Sequence, residues 1–261
     1  MNVSDVASIA GKDLAETKLG NLRLFYAPDD GIGAMKDEIE QQKLYTLGPI
    51  RDTTRPPFYF PRPGDVVIDG GANIGYFALY LLSLEPAVKV NCFEPALEVY
   101  FRLLANIKAN NLAPSQIESY RLALHSWSDL RLALRRGEGT LDASLYGRWK
   151  APRPIETWAP QMAPDAEAVT TIDLDGALEL CGVDTVDLLK LDIEGAEQGT
   201  LEQFCGRWSR FERIAVEYHG RLRPRCGQRI AELLRAKGYY VEHSGDFEDE
   251  LGIGMIWAWR Q

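Results

Sequence analysis

Residues 66–81, VVIDGGANIGYFALYL, join an apolar, β-branched run to a glycine-rich turn and then to a helical pattern. Val66, Val67 and Ile68 lead into Asp69, and Gly70, Gly71 and Gly75 bracket the turn. Ile74, Phe77, Ala78 and Leu81 then fall on one helix face. The stretch reads as a buried strand (66–69), a loop and a helix (74–84). Glycine lets backbone approach a ligand with no Cβ in the way. The loop N–H groups and the helix N-terminus offer a positive field to an anionic group.

The spacing bears on the ligand. A dinucleotide loop places glycine at its first, third and sixth positions. Counted from Gly70, this loop gives Gly70, Ala72 and Gly75, an imperfect match. Counted from Asp69, it reads Asp69-x-Gly71-x-Asn73-x-Gly75. An acid at the strand tip suits an ammonium group and repels a pyrophosphate. S-adenosylmethionine, which carries an ammonium, a carboxylate and a sulfonium, fits better than NAD. The next strand, VNCFEP (90–95), ends in Glu94, placed to accept both ribose hydroxyls. Pro95 stops that strand.

From residue 64 onward strand and helix patterns alternate, which implies a parallel sheet covered by helices on both faces. A helix over about 96–109 is expected to bury Leu97, Tyr100, Phe101, Leu104 and Ile107. A strand is expected near 117–124, and RLALRR (131–136) extends the sheet as a hairpin. Asp173 caps a short helix that Gly182 closes. VDLLKLDIEG (186–195) and RIAVEYHG (213–220) read as strands, and a helix spans 226–237. YYVEHS (239–244) and IGMIWAW (253–259) follow with no helix between them, so they form an antiparallel pair at the edge. Residues 1–60 read as an accessory cap, with a strand at 22–27, a polar helix at 34–47 and a stiff connector at Pro56, Pro57, Pro61 and Pro63. Residues 61–261 form the main domain. Within it, 140–168 breaks the alternation with Trp149, Trp158, Met162 and four prolines, and reads as a lid over the carboxyl edge of the sheet.

Composition narrows the partners. A net charge of -9 over 261 residues argues against a nucleic-acid surface. The four cysteines form no CxxC pair and no zinc spacing. With no signal-peptide pattern and no membrane-length apolar run, the expected setting is cytoplasmic.

Residues 190–197, KLDIEGAE, supply the second motif. Lys190, Asp192 and Glu194 alternate at the end of a buried strand, so they share a face while the strand continues. Asp192 emerges at the carboxyl edge, where open α/β sheets bind ligands. Glu217 and His219 leave the neighbouring strand at the same edge. Charges so dense after a buried strand are costly unless paired or solvated.

DGGANIG, FEP, KLDIEGAE and VEYH in this order resemble the FkbM family of S-adenosylmethionine-dependent methyltransferases, over roughly residues 60–220. The resemblance implies the seven-stranded methyltransferase variant of the doubly wound, Rossmann-like fold. It implies methyl transfer to a hydroxyl of a polyketide, sugar or related small molecule. It carries over Asp69, Gly70, Gly71, Ala72, Asn73 and Gly75 as the cofactor loop, Glu94 with Pro95 as the ribose end, and Ala123 and Leu124 as neighbours of the adenine.

A hydroxyl is a weak nucleophile until a base takes its proton. His219 or Asp192 is expected to be that base, with Glu194 and Glu217 orienting substrate or catalyst; an unperturbed histidine has the better pKa near neutrality. The same acids and His219 offer ligands for Mg²⁺, which would acidify a bound hydroxyl. A nicotinamide-dependent oxidoreductase and a non-catalytic cofactor-binding module are the competing readings.

Overall fold

A computed structural model describes residues 14–46, 57–135, 166–247, 249 and 252–260. The described N-terminal residues include an antiparallel hairpin of β1 (Ala15–Leu19) and β2 (Leu22–Tyr26). A short helix α1 (Ile32–Lys36) runs into a wide π-helical turn, Asp37–Gln41. The helix expected over 34–47 is therefore shorter, because Lys43 takes a left-handed φ of 52° and turns the chain.

The main domain is built on seven strands. These are β3 (Val66–Gly70), β4 (Lys89–Phe93), β5 (Ile117–Tyr120), β9 (Val186–Leu191), β10 (Phe211–His219), β11 (Tyr240–His243) and β12 (Ile253–Trp259). Their order is β11-β12-β10-β9-β3-β4-β5. The pairs from β10 through β5 are parallel, and β12 runs antiparallel to both β10 and β11. The seven-stranded α/β sheet with a terminal antiparallel pair is as expected. The central strands are buried on both faces, as a doubly wound sheet requires. Val67, Val90, Cys92, Leu188 and Ala215 face one core with α2 (Tyr76–Leu84) and α3 (Leu97–Ala109). Ile68, Phe93, Leu189, Ile214 and Val216 face the other with α4 (Leu174–Cys181), α5 (Glu197–Glu202) and α6 (Cys226–Ala236). Each such aliphatic side chain stabilises the fold by about 1.5–3 kcal/mol when fully buried.

Helix α2 starts at Tyr76, later than its apolar spacing suggests. Asn73 and Gly75 hold left-handed φ values of 50° and 89°, so helical geometry cannot begin before them. Asp173 caps α4 by accepting from Gly176 N at 2.8 Å, and Gly182 closes it in the left-handed region, as expected.

Three expectations need correction. Helix α3 buries only part of the predicted face: Tyr100 and Ile107 pack against the core, Leu97 and Phe101 are exposed, and Val99, Arg102, Leu103 and Asn106 point inward. The inward polar groups are satisfied by the cap. Asn106 exchanges hydrogen bonds with both backbone groups of Phe25, at 2.7 and 3.0 Å. Arg102 Nη2 lies 2.8 Å from Asp30 Oδ1, with both side chains fully buried. Apolar periodicity misplaces a helix face when buried polar residues anchor another segment. Second, the strand expected over 117–124 splits. β5 ends at Tyr120, and β6 (Ala123–Leu124) pairs with β8 (Ala166–Ile172) in a separate sheet. Third, β7 (Arg131–Arg135) pairs with β8 in that small sheet and does not extend the main one. Of the lid expected over 140–168, residues 140–165 lie outside the described residues. So do residues 1–13 and 47–56 of the cap. Among the described residues, no helix is long and apolar enough to cross a membrane.

Candidate active site

A cleft opens at the carboxyl ends of β3, β4 and β9. Gly71, Ala72 and Asn73 line it from the glycine loop, and Glu94 and Pro95 from the tip of β4. Ala123, Leu124, Asp192 and Glu194 complete the set of expected residues on its wall. The sheet register brings these distant segments together. Gly70 pairs with Phe93 on one side and with Leu191 on the other.

Gly71 is required by both conformation and space. Its φ is 74°, and a Cβ there would stand 1.8 Å from the Asp192 carbonyl oxygen. The loop's N–H groups are all occupied within the protein, which corrects the expectation that they face an anion. Gly71 N and Ala72 N donate to Phe93 O at 3.0 and 3.1 Å, and Gly75 N donates to Ala72 O at 2.9 Å. Ile74 N donates to Asn73 Oδ1 at 2.7 Å, and Asn73 N donates to Glu94 Oε2 at 3.0 Å. A pyrophosphate would find no free donors along residues 71–75.

Glu94 is 7% exposed and accepts a second backbone hydrogen bond, from Ala96 N to Oε1 at 2.8 Å. Burial raises its pKa to about 7 against the opposing pull of those two N–H groups. Each of its oxygens keeps a further lone pair. Its position beside the loop suits a vicinal diol.

Asp69 and Gly70 are placed differently from expectation. Both are buried below the loop and neither lines the cleft. Asp69 Oδ1 lies 3.0 Å from Lys190 Nζ, its register partner on β9. Asp69 is therefore paired with a lysine and does not itself reach the cleft wall. Gly75 also sits off the wall, as the left-handed residue that precedes α2.

Asp192 and Glu194 stand on the acid-rich wall of the cleft; Glu217 and His219, expected beside them, group with these acids but do not line it. His219 is 6% exposed. Its Nδ1 lies 3.1 Å from Glu197 Oε1, and its Nε2 lies 3.5 Å from Glu194 and 4.0 Å from Asp192. Burial opposes a charge on the ring, yet Glu197, Glu194 and Asp192 more than offset it and hold its pKa well above the usual histidine range. These carboxylates favour the charged ring, which weighs against His219 and toward Asp192 as the resting base. Burial raises Glu194 to about 8, and burial with the Asp192 charge raises Glu217 to about 7.

Five contributors escaped the sequence reading. Tyr45, from the cap, donates to Glu217 Oε2 at 2.9 Å and reaches Asp192 Oδ2 at 3.4 Å. Burial and the Asp192 charge keep its phenol protonated far above its ordinary range. No local pattern marks it, because its partners are 147 and 172 residues away. Met35, Glu38 and Ile39 join it on the cleft wall. Glu197 lay in view within KLDIEGAE; the fully buried carboxylate organises the turn by accepting from Ile193 N and Gly195 N. Asp192, Glu194 and His219 also present one ligand atom each within 4.8 Å of one another, the spacing a metal ion would use.

The family described as "Methyltransferase FkbM domain" matches residues 69–241. The chain is 29% identical over 196 residues to "31-O-demethyl-FK506 methyltransferase FkbM" of Streptomyces tacrolimicus, covering 69% of this chain and 74% of that protein. It is 31% identical over 217 residues to "Methyltransferase sdnD" of Sordaria araneosa, covering 75% and 81%. A solved structure titled methyltransferase FkbM from Methylobacillus flagellatus KT aligns at a TM-score of 0.43 and 14% identity, over 75% of this chain and 44% of that one.

Proposed function

The chain belongs to the FkbM methyltransferase domain family, and from that premise we propose that it is an S-adenosylmethionine-dependent O-methyltransferase acting on a hydroxyl of a small natural product. The observation that carries the donor reading is Glu94. It stands on the cleft wall at the tip of β4, beside a glycine loop with no N–H left for a phosphate. This donor set suits an adenosine ribose and a cationic ligand, and disfavours a nicotinamide dinucleotide. The name of the Streptomyces tacrolimicus relative puts its methyl group on oxygen, which supports the same acceptor atom here.

S-adenosylmethionine supplies an already activated methyl group when bound. The protein's part is to bind, align and remove a proton. Glu94 would hold the ribose hydroxyls, and Ala123 and Leu124 would lie on the adenine side. Asp192 lies on the wall and takes the acceptor's proton. Glu194, with its raised pKa, orients the acceptor hydroxyl. His219 stays cationic and fixes the acids around it, and Tyr45 positions Asp192 and Glu217. In this reading residues 1–60 form a cap on a catalytic domain of residues 61–261, working in the cytoplasm without nucleic acid or membrane.

A divalent ion is the second reading, favoured by the Asp192, Glu194 and His219 spacing. Mg²⁺ held there would acidify a bound hydroxyl. The charge on His219 weighs against it, since a metal needs the neutral ring.

The test is incubation of purified protein with radiolabelled methyl donor and an extract of its producer. Label in an O-methyl ether and a higher melting temperature with S-adenosylhomocysteine are expected. Stabilisation by NADH in its place would overturn the reading, as would label on nitrogen or carbon. Full activity after exhaustive chelation would dismiss the metal.

A further inference from the structure

Lys190 is 3% exposed and sits where the two halves of the site meet. Its Nζ lies 3.0 Å from Asp69 Oδ1, 3.2 Å from the Gly71 carbonyl oxygen and 3.4 Å from the Gly70 carbonyl oxygen. Asp192 Oδ2 stands 3.8 Å away, and the centre of the Tyr45 ring 5.1 Å away. An ammonium group has three protons. Three acceptors within 3.4 Å match them, and all three belong to β3 or the glycine loop. Lys190 also lines the cleft, with these three nearest acceptors gathered on its glycine-loop side.

The Gly70 and Gly71 carbonyls sit at the point where β3 breaks away from the sheet. A carbonyl pair turned toward one cation fixes the peptide planes on both sides of it. Those planes set the direction in which Gly71, Ala72 and Asn73 leave the strand, and Asn73 N meets Glu94 at the far end of that path. We propose that Lys190 is a positioning residue for the methyl donor: through the carbonyls of Gly70 and Gly71 it holds the glycine loop in its donor-binding shape, and Asp69 serves as its counter-ion, not as a ligand of the donor.

This rests on the donor reading above, and the wild-type protein tests that reading separately: if S-adenosylhomocysteine does not bind the unaltered chain, the donor assignment fails. Given wild-type binding, titration calorimetry with S-adenosylhomocysteine on D69N, K190M and the D69N/K190M double variant tests Lys190. K190M alone strands a buried carboxylate and is expected to unfold more easily. The double variant removes both charges. A purely structural ion pair predicts that it regains wild-type melting and wild-type binding together. The positioning role predicts that it regains most of the melting temperature and still binds at least tenfold more weakly. D69N, which keeps the ammonium on both carbonyls, is expected to lose less affinity than the double variant. Backbone amide exchange at Ala72 and Asn73 gives an independent readout, and should be faster in any folded variant lacking Lys190. The proposal is overturned if the double variant binds within twofold of wild type. It is equally overturned if D69N loses as much affinity as the double variant, since Asp69 would then be a donor ligand.

Discussion

Glu197 Oε1 lies 3.1 Å from His219 Nδ1, with the carboxylate fully buried and the ring 6% exposed. This pairing favours a charged ring, which the histidine's position in the sequence does not reveal. Removing one member of a buried ion pair costs about 3–5 kcal/mol, because the other is left uncompensated. H219Q should therefore lower unfolding free energy by about that amount in urea titrations. H219Q/E197Q should recover much of the loss. If H219Q leaves stability unchanged while turnover collapses, His219 is the neutral base after all.

Asp192 is the group on the wall assigned to take the proton. General-base assistance contributes about 10²–10⁴-fold in rate. D192N should lose turnover in that range with S-adenosylhomocysteine affinity close to wild type. Y45F removes a hydrogen bond to a buried carboxylate and should lower turnover by about tenfold, since bonds to charged groups contribute about 1.5–3 kcal/mol. A D192N enzyme of undiminished single-turnover rate would shift the role to Glu217 or Glu194.

Gly71 tolerates no side chain. A left-handed φ costs a non-glycine residue about 1–2 kcal/mol, and the clash with the Asp192 carbonyl adds overpacking of about 1–3 kcal/mol. G71A should thus be destabilised by several kcal/mol and lose donor binding, as read by thermal melting with and without S-adenosylhomocysteine. Retention of both would mean that β3 and β9 can separate at this edge.

The site also sets a pH dependence. Burial raises Glu94 from the ordinary 4.5 to about 7, Glu194 to about 8 and Glu217 to about 7. Between pH 4.5 and these values the folded chain holds protons that the unfolded chain has released. The contribution of these groups is complete below pH 4.5, declines as pH rises, and levels off above about 8. His219 has the same sign, because its folded pKa is also raised. A shift of one unit corresponds to about 1.4 kcal/mol, so Glu94 alone accounts for about 3 kcal/mol. E94Q should flatten the decline in urea-derived stability between pH 5 and 8. A wild-type curve that rises across that window would contradict the assignment.

The sequence by itself determined what depends on near neighbours along the chain. Strand and helix periods, the glycine turn after β3, and the exit of Glu94 and Asp192 at one sheet edge all follow from local backbone geometry. Each could be read from short stretches of residues. The tertiary structure alone decided what each charged group faces. Asp69 meets Lys190 because β3 lies beside β9, and Tyr45 crosses to Glu217 from the cap. Arg102 and Asn106 turn inward against the apolar pattern of their helix because Asp30 and Phe25 need them. The reason is physical: conformation at a residue is set by steric limits within a few bonds, whereas a protonation state is set by burial and by charges that only folding brings close.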